Sequence, residues 1–165
     1  MIKINNISLN KLTQDDIKPL YQYVNTDFVQ KYNMLSITTY EEFAQSMLNR
    51  KGTDYVIKLK NTNEVIGNIS VDEDHIRYNV NAITISYWLA EKFANKGYMS
   101  EALEIIIQQL FNEGYDMITA RVFSENIGSI KLLEKLGFEK EGYLKKAVRN
   151  NHGKVFDDVL FVKFK

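Results

Sequence analysis

The chain has no cysteine, a single proline and only two histidines in 165 residues. Without cysteine there is no disulfide framework, no thiolate nucleophile and no thiolate-held metal. His75 and His152 are too few for a histidine-rich centre, so carboxylates would have to supply most ligands, and no metal is expected. A long apolar run is also missing. Nothing approaches the ~18 residues of a membrane span, and the opening "MIKINNISLNKL" lacks the continuous apolar segment of a signal peptide. These absences predict a cytoplasmic protein with no membrane partner. Excess charge of one sign is absent too: 21 basic residues balance 21 acidic ones. A protein that grips nucleic acid needs a basic face, so no direct nucleic-acid partner is expected. The balance is uneven along the chain, however. Six Lys or Arg between Lys145 and Lys165 stand against Asp157 and Asp158, enough to attract an anion.

What is present is an ordinary globular composition, 45% hydrophobic and 25% charged. No linker, repeat or low-complexity tract divides it, which predicts one domain over residues 1–165 with a substantial core. "ISLNKL" alternates like a short strand. Thr13 and Asp16 have the spacing of a capping box ahead of Ile17, Leu20, Tyr21 and Val24. Pro19 predicts that this helix starts a few residues later. A second box, Thr39 to Glu42, opens a helix carrying Phe43, Met47 and Leu48. "DYVIKLK", "EVIGNISV" and "NAITISYWL" are β-branched and aromatic runs between polar turns, which predicts an antiparallel meander. A helix from about Met99 to Glu113 follows, then a strand "MITARVF" and a helix "NIGSIKLLEKLGF" that stops at Gly137. Two strands, near Phe138–Val148 and Val155–Phe164, flank the turn "NNHG". The order describes a mixed α/β (α+β) domain.

Two stretches carry chemistry. "NKGYMSEA" (Asn95–Ala102) is neither a Walker loop nor GxGxxG. It still has the parts of an anion site: a preceding strand ending at Trp88–Ala90, Gly97 for close approach, Lys96 for charge, and Ser100 as a possible cap. A helix beginning near Met99 would present free amides. Taken alone, the stretch reads more readily as a capped glycine turn. In "NIGSIKLLEKLGF", Asn126 and Ser129 bracket the first helical turn, and alone they read as an N-cap and a polar first-turn residue.

Together, the two stretches resemble the GNAT superfamily of N-acetyltransferases. "AEKFANKGYMSEAL" is similar to its pyrophosphate loop and following helix, and "ENIGSIKLLEKLGF" to its second CoA motif. The tail "EGYLKKAVRNNHGKVFDDVLF" resembles the RimJ/RimL branch, which acetylates N-termini of ribosomal proteins. The resemblance implies a mostly antiparallel sheet of about seven strands, flanked by about four helices, with two central strands splayed around acetyl-CoA. It implies that Trp88, Leu89 and Ala90 hydrogen-bond the pantetheine arm through their backbone. The amides of Lys96, Gly97, Tyr98, Met99 and Ser100 would hold the pyrophosphate, with Asn126 and Ser129 beside the thiol. The Leu89 N–H would be the oxyanion donor and Ser129 the proton donor to the departing thiolate.

The chain departs from the family pattern in places. Ala94, Gly97 and Met99 occupy the loop's three signature positions, and only the central glycine is kept. Leu133 stands where many members carry an acidic tyrosine. Thr84 stands where relatives have a glutamate base, leaving a water relayed through Ser86 or Tyr87, or the amine's own pKa. An α-amine ionises near ~8 and a lysine or polyamine amine near ~10.4, which favours a protein N-terminus as acceptor. The alternatives are a small amine (a polyamine or an aminoglycoside) or an acyl-CoA-binding module without catalysis; a homodimer is left open. Asp72–His75 ("VDEDH") reads as a solvated acidic turn rather than an amine trap. His152 reads as a hairpin-turn residue, and Trp88 with its neighbouring tyrosines as packing.

Overall fold

A computed structural model describes residues 5–165. The first four residues of the stretch tested above for a signal segment lie outside the described residues. In chain order the elements are β1 (Ile7–Lys11), α1 (Gln14–Val24), α2 (Asp27–Gln30), α3 (Tyr40–Leu48), β2 (Thr53–Leu59), β3 (Val65–Glu73) and β4 (Ala82–Leu89). After a short 3-10 turn come α4 (Tyr98–Asn112), β5 (Met117–Phe123), α5 (Ile127–Lys135), β6 (Glu139–Arg149) and β7 (Val155–Phe164). The strands form one seven-stranded sheet in the order β1-β2-β3-β4-β5-β7-β6. Every pairing is antiparallel except β4 with β5. The expected meander is therefore β2-β3-β4, and the sheet has its expected seven strands.

Two helical expectations are corrected. A four-residue helix, α2, adds a fifth helix to the four expected; "DFVQ" is too short to show a period. The first helix begins at Gln14 and runs through Pro19 rather than starting after it. The capping box prevails: Asp16 Oδ2 accepts from the Thr13 backbone N–H and hydroxyl, each at 2.9 Å. Pro19 forfeits one intrahelical bond, while Ile17, Leu20 and Val24 bury the helix face.

The sheet alternation sorts side chains onto two faces. On one face Ile83 and Ile85 of β4 and Ile118, Ala120 and Val122 of β5 pack with α4 and α5. On the other, Val56, Val65 and Trp88 pack beneath α1 and α3. The α1 face is pinned at Asp16, which also meets Lys58 Nζ at 2.7 Å. Burial alone would raise the Asp16 carboxyl, but the bonds from Lys58 and Thr13 outweigh it and hold it below its ordinary value.

Replacing Asp16 with Asn is therefore expected to cost about 2–3 kcal/mol in urea unfolding at pH ~7, through the lost cap and a stranded lysine. A carboxyl with a depressed folded pKa stabilises above its unfolded value, ~3.9, and loses that contribution as pH falls through the lower folded value. The difference between wild type and variant should accordingly close below pH ~4. A gap that persisted there would mean that the ionised carboxylate is not its source.

Candidate active site

The central feature is an ended ladder. β4 and β5 pair in parallel from Ala82 with Met117 as far as Ile85 with Ala120, and then stop. Beyond that point Ser86–Leu89 remains bonded to β3, and Arg121–Phe123 to β7. The two strands diverge around a cavity of about 430 Å³. Ala90 N–H donates to Ile66 O at 2.8 Å. Antiparallel alternation then turns the backbone groups of Trp88 toward β3 as well, and those of Tyr87 and Leu89 into the gap. Of the three residues expected to offer backbone to a pantetheine arm, only Leu89 is placed to do so; Ala90 is already bonded and Trp88 faces the neighbouring strand. The Trp88 side chain packs in the core under α1 and α3, as its composition suggested.

The cavity passes through the sheet. Its walls include Leu89, Met99 and Leu132 on the α4/α5 face, and Ser86, Arg121 and Tyr32 from the opposite face. Arg121 is not a bare charge: its Nε and Nη2 donate to Asp158 Oδ2 at 2.9 and 2.6 Å. Tyr32 crosses Phe123 and Phe156 edge to face, fixing that wall. Asn151, at the tip of the β6–β7 hairpin, donates to Gln30 Oε1 at 2.6 Å. The hairpin and α2 are thus tied together beside the opening.

Beyond this same C-terminal end of β4 the chain turns through Asn95 (φ 58°) and Gly97 (φ 84°) into α4. Gly97 itself is the N-cap and there is no side-chain cap. The expected cap at Ser100 is corrected: Ser100 lies inside the first turn. Tyr98, Met99 and Ser100 therefore bring uncapped amides and the positive end of a 15-residue helix to the mouth of the gap. A carbon placed on Gly97 would meet nothing within 4 Å, so the space above the turn is open. Lys96 is exposed beside it.

The start of α5 closes the far end. Asn126 caps the helix, its Oδ1 accepting from Ser129 N–H at 3.2 Å. This aims Ser129 into the cavity. The Tyr87 and Ser129 hydroxyls lie 2.5 Å apart. Burial pushes the Tyr87 phenol up to about 12, with the Ser129 bond opposing. The expected water relay to a base through Tyr87 is thereby redirected, since its hydroxyl is committed to Ser129. Ser86, the other expected relay, opens on the opposite face.

Two of the positions where the family pattern fails, Thr84 and Leu133, are engaged away from the cavity. Thr84 Oγ1 donates to Thr119 O at 3.2 Å within the paired part of the ladder. Leu133 is fully buried in the core. The acidic turn is not an amine trap. Asp72 takes two bonds from Arg50, at 2.6 and 2.7 Å, and Asp74 is bonded to Arg77 at 3.0 Å. Asp74 is also more than a solvated turn residue, for its carboxylate is buried and accepts from Thr119. His152 sits in the hairpin turn. The sequence points to the first two helices, the loop around residues 25–32 and the final hairpin as the segments that set the acceptor. That stretch supplies Phe28, Lys31 and Tyr32 to the wall; Arg121 is the residue that sequence reasoning missed. The one available signal was a lone charge in the apolar strand "MITARVF". Among the described residues no cluster could hold a metal ion and no helix is long and apolar enough to cross a membrane.

Comparison with known proteins agrees with this geometry. Residues 6–139 match the acetyltransferase (GNAT) domain family. An uncharacterised N-acetyltransferase p20 of Bacillus licheniformis is 31% identical over 84% of this chain and 82% of its own. The ribosomal-protein-serine acetyltransferase of Escherichia coli is 29% identical over 96% of this chain and 92% of its own. Among solved structures, the RimL ribosomal L7/L12 α-N-protein acetyltransferase in complex with coenzyme A superposes with a TM-score of 0.86 at 21% identity, over 98% of this chain and 95% of that one. The resemblance read from the two motifs is borne out: with its splayed sheet and uncapped loop, the chain belongs to the GNAT family of acetyltransferases and is an acetyl-transferring enzyme.

Proposed function

We propose that this enzyme moves an acetyl group from acetyl-CoA to a protein N-terminal α-amine by direct attack while both substrates are bound. The observation that carries the reading is the gap between β4 and β5, which opens on both faces of the sheet. The residues present fit acetyl-CoA. The amides of Lys96, Gly97, Tyr98, Met99 and Ser100 form a main-chain cradle for its pyrophosphate, with the αL turn at Gly97 leaving room for it. The Leu89 and Tyr87 backbones line the arm's path, and Asn126 and Ser129 stand at its thiol end. When bound, acetyl-CoA supplies an activated thioester.

The chain's own groups do the rest. Leu89 N–H, facing the gap, is the oxyanion donor. As the amine nitrogen bonds the carbonyl carbon, the C–S bond breaks with its electron pair on sulfur. Ser129 gives its hydroxyl proton to that sulfur, and the proton shed by the amine restores Ser129 through solvent. Among the described residues, no carboxylate side chain lines the gap. The acceptor must therefore arrive partly neutral. At pH ~7.4 roughly a fifth of an α-amine with pKa ~8 is neutral, against about one part in a thousand of an amine at ~10.4. The Arg121–Asp158 pair on the acceptor side carries no net charge to repel an ammonium. The ribosomal-protein-serine acetyltransferase among the relatives supports the same substrate class. A cytoplasmic location accords with it.

Three outcomes test this reading. In thiol-release assays with N-terminal peptides, spermidine and an aminoglycoside, the peptides should be preferred, with kcat/KM rising as pH approaches ~8; a preference for either small amine would overturn the acceptor. Ser129→Ala should lower kcat roughly 100-fold with little change in acetyl-CoA affinity, and an unaltered single-turnover rate would remove Ser129 from the acid role. Gly97→Val should abolish CoA binding in calorimetry, since a β-branched residue resists φ near +84° and would crowd the cradle. Retained affinity would place the anion site elsewhere.

A further inference from the structure

The tyrosine that many acetyltransferases place on the helix after the second CoA motif is absent here, since Leu133 occupies that position. A phenol nevertheless reaches the same region from a different element. Tyr87, on β4, and Ser129, in the first turn of α5, are 42 residues apart in sequence, yet their hydroxyls meet at 2.5 Å. Both residues line the cavity. The geometry points to Tyr87 as a positioning residue, whose phenol donates to Ser129 Oγ and so leaves the Ser129 proton free to face the departing sulfur. This rests on the acetyl-transfer role proposed for Ser129.

The direction of the bond follows from chemistry. Either oxygen has the geometry to donate, but a phenol is the more acidic hydroxyl and an alcohol oxygen the better acceptor. Ser129 Oγ then accepts from Tyr87 and keeps its own hydrogen. No hydrogen bond runs from the Ser129 hydroxyl to its own helix among the described residues; Asn126 Oδ1 is bonded to the Ser129 N–H, and the hydroxyl meets Tyr87. With one Oγ lone pair taken by Tyr87, the Ser129 hydrogen points away from that phenol and is available to the cavity that Ser129 lines. Burial holds the Tyr87 phenol at about 12, so it stays protonated throughout the working range. Tyr87 has the same proton before and after turnover and is not itself the acid.

A double-mutant cycle tests this on the full chain. Tyr87→Phe keeps the ring that packs against the core and removes only the hydroxyl. We expect a roughly ten-fold fall in kcat with unchanged CoA affinity in the Ser129 enzyme. In a Ser129→Ala background the same change should alter kcat less than about two-fold, because the two residues act as one unit. Equal losses in both backgrounds, or no loss with Ser129 present, would overturn the inference. An independent readout needs no turnover: NMR of tyrosines labelled at Cζ, with Tyr87 assigned by Tyr87→Phe. Its resonance should not titrate with free tyrosine near pH ~10, and should shift on Ser129→Ala. A resonance that titrates normally and ignores Ser129 would overturn the hydroxyl pair. If the hydroxyl pair is seen but no amine is acetylated, it is the proposed substrate reading that fails instead.

Discussion

The parting of β4 from β5 after Ile85 and Ala120 is the constraint on which the rest of the site depends. Two parallel strands at the centre of a sheet would normally continue their ladder, because a buried unpaired N–H or C=O costs about 1–3 kcal/mol. Here each strand keeps its outer partner, β3 or β7, and surrenders the inner one. The unpaired groups of Tyr87 and Leu89 are left facing a cavity in which a ligand's amides can take up the missing bonds. Under the proposed function, binding at this place would be a form of strand addition, with specificity in main-chain geometry rather than in side-chain identity.

The same economy would let a chain of zero net charge present the proposed anion site. The charge at the loop belongs to backbone dipoles: an uncapped helix start, with Gly97 in the left-handed region in place of a capping side chain. A main-chain cradle of this kind does not depend on the side chains at Ala94 and Met99, the two signature positions that differ here. Only the position that must adopt φ near +84° is chemically constrained.

Much of this was legible in the sequence, and the exceptions have a common cause. Strand and helix periods, both capping boxes and the stop at Gly137 are local signals, and the structure follows them closely. Pro19 misled because one lost bond is outweighed by a cap and three buried side chains. Ser100 misled because the helix starts earlier than its capping pattern suggests: Gly97 takes the N-cap position and places Ser100 inside the first turn. Which of Trp88, Leu89 and Ala90 offers its backbone depends on register against β3, and no single-strand pattern states a register. The Tyr87–Ser129 meeting and the Arg121–Asp158 pair join residues 42 and 37 apart, and only the assembled sheet brings them together.

The same separation of tasks governs α5. Ile130 and Leu133 turn into the core while Ser129 faces the cavity. A tyrosine at position 133 would have to combine packing with proton chemistry in one side chain. In this chain the packing stays with the fully buried Leu133, and the phenol comes from a strand whose position the sheet already fixes. Among the described residues, no carboxylate stands across the gap to match that hydroxyl pair. On the proposed reading the side that must lose a proton is governed by the acceptor's own basicity; Arg121 is cancelled there by Asp158, and Lys31 remains as a cation on the outer wall. Under the proposed function such a site would select amines by pKa before it selects them by shape. Any preference among N-termini must then arise at the outer wall, where Phe28, Lys31 and Tyr32 meet the cavity.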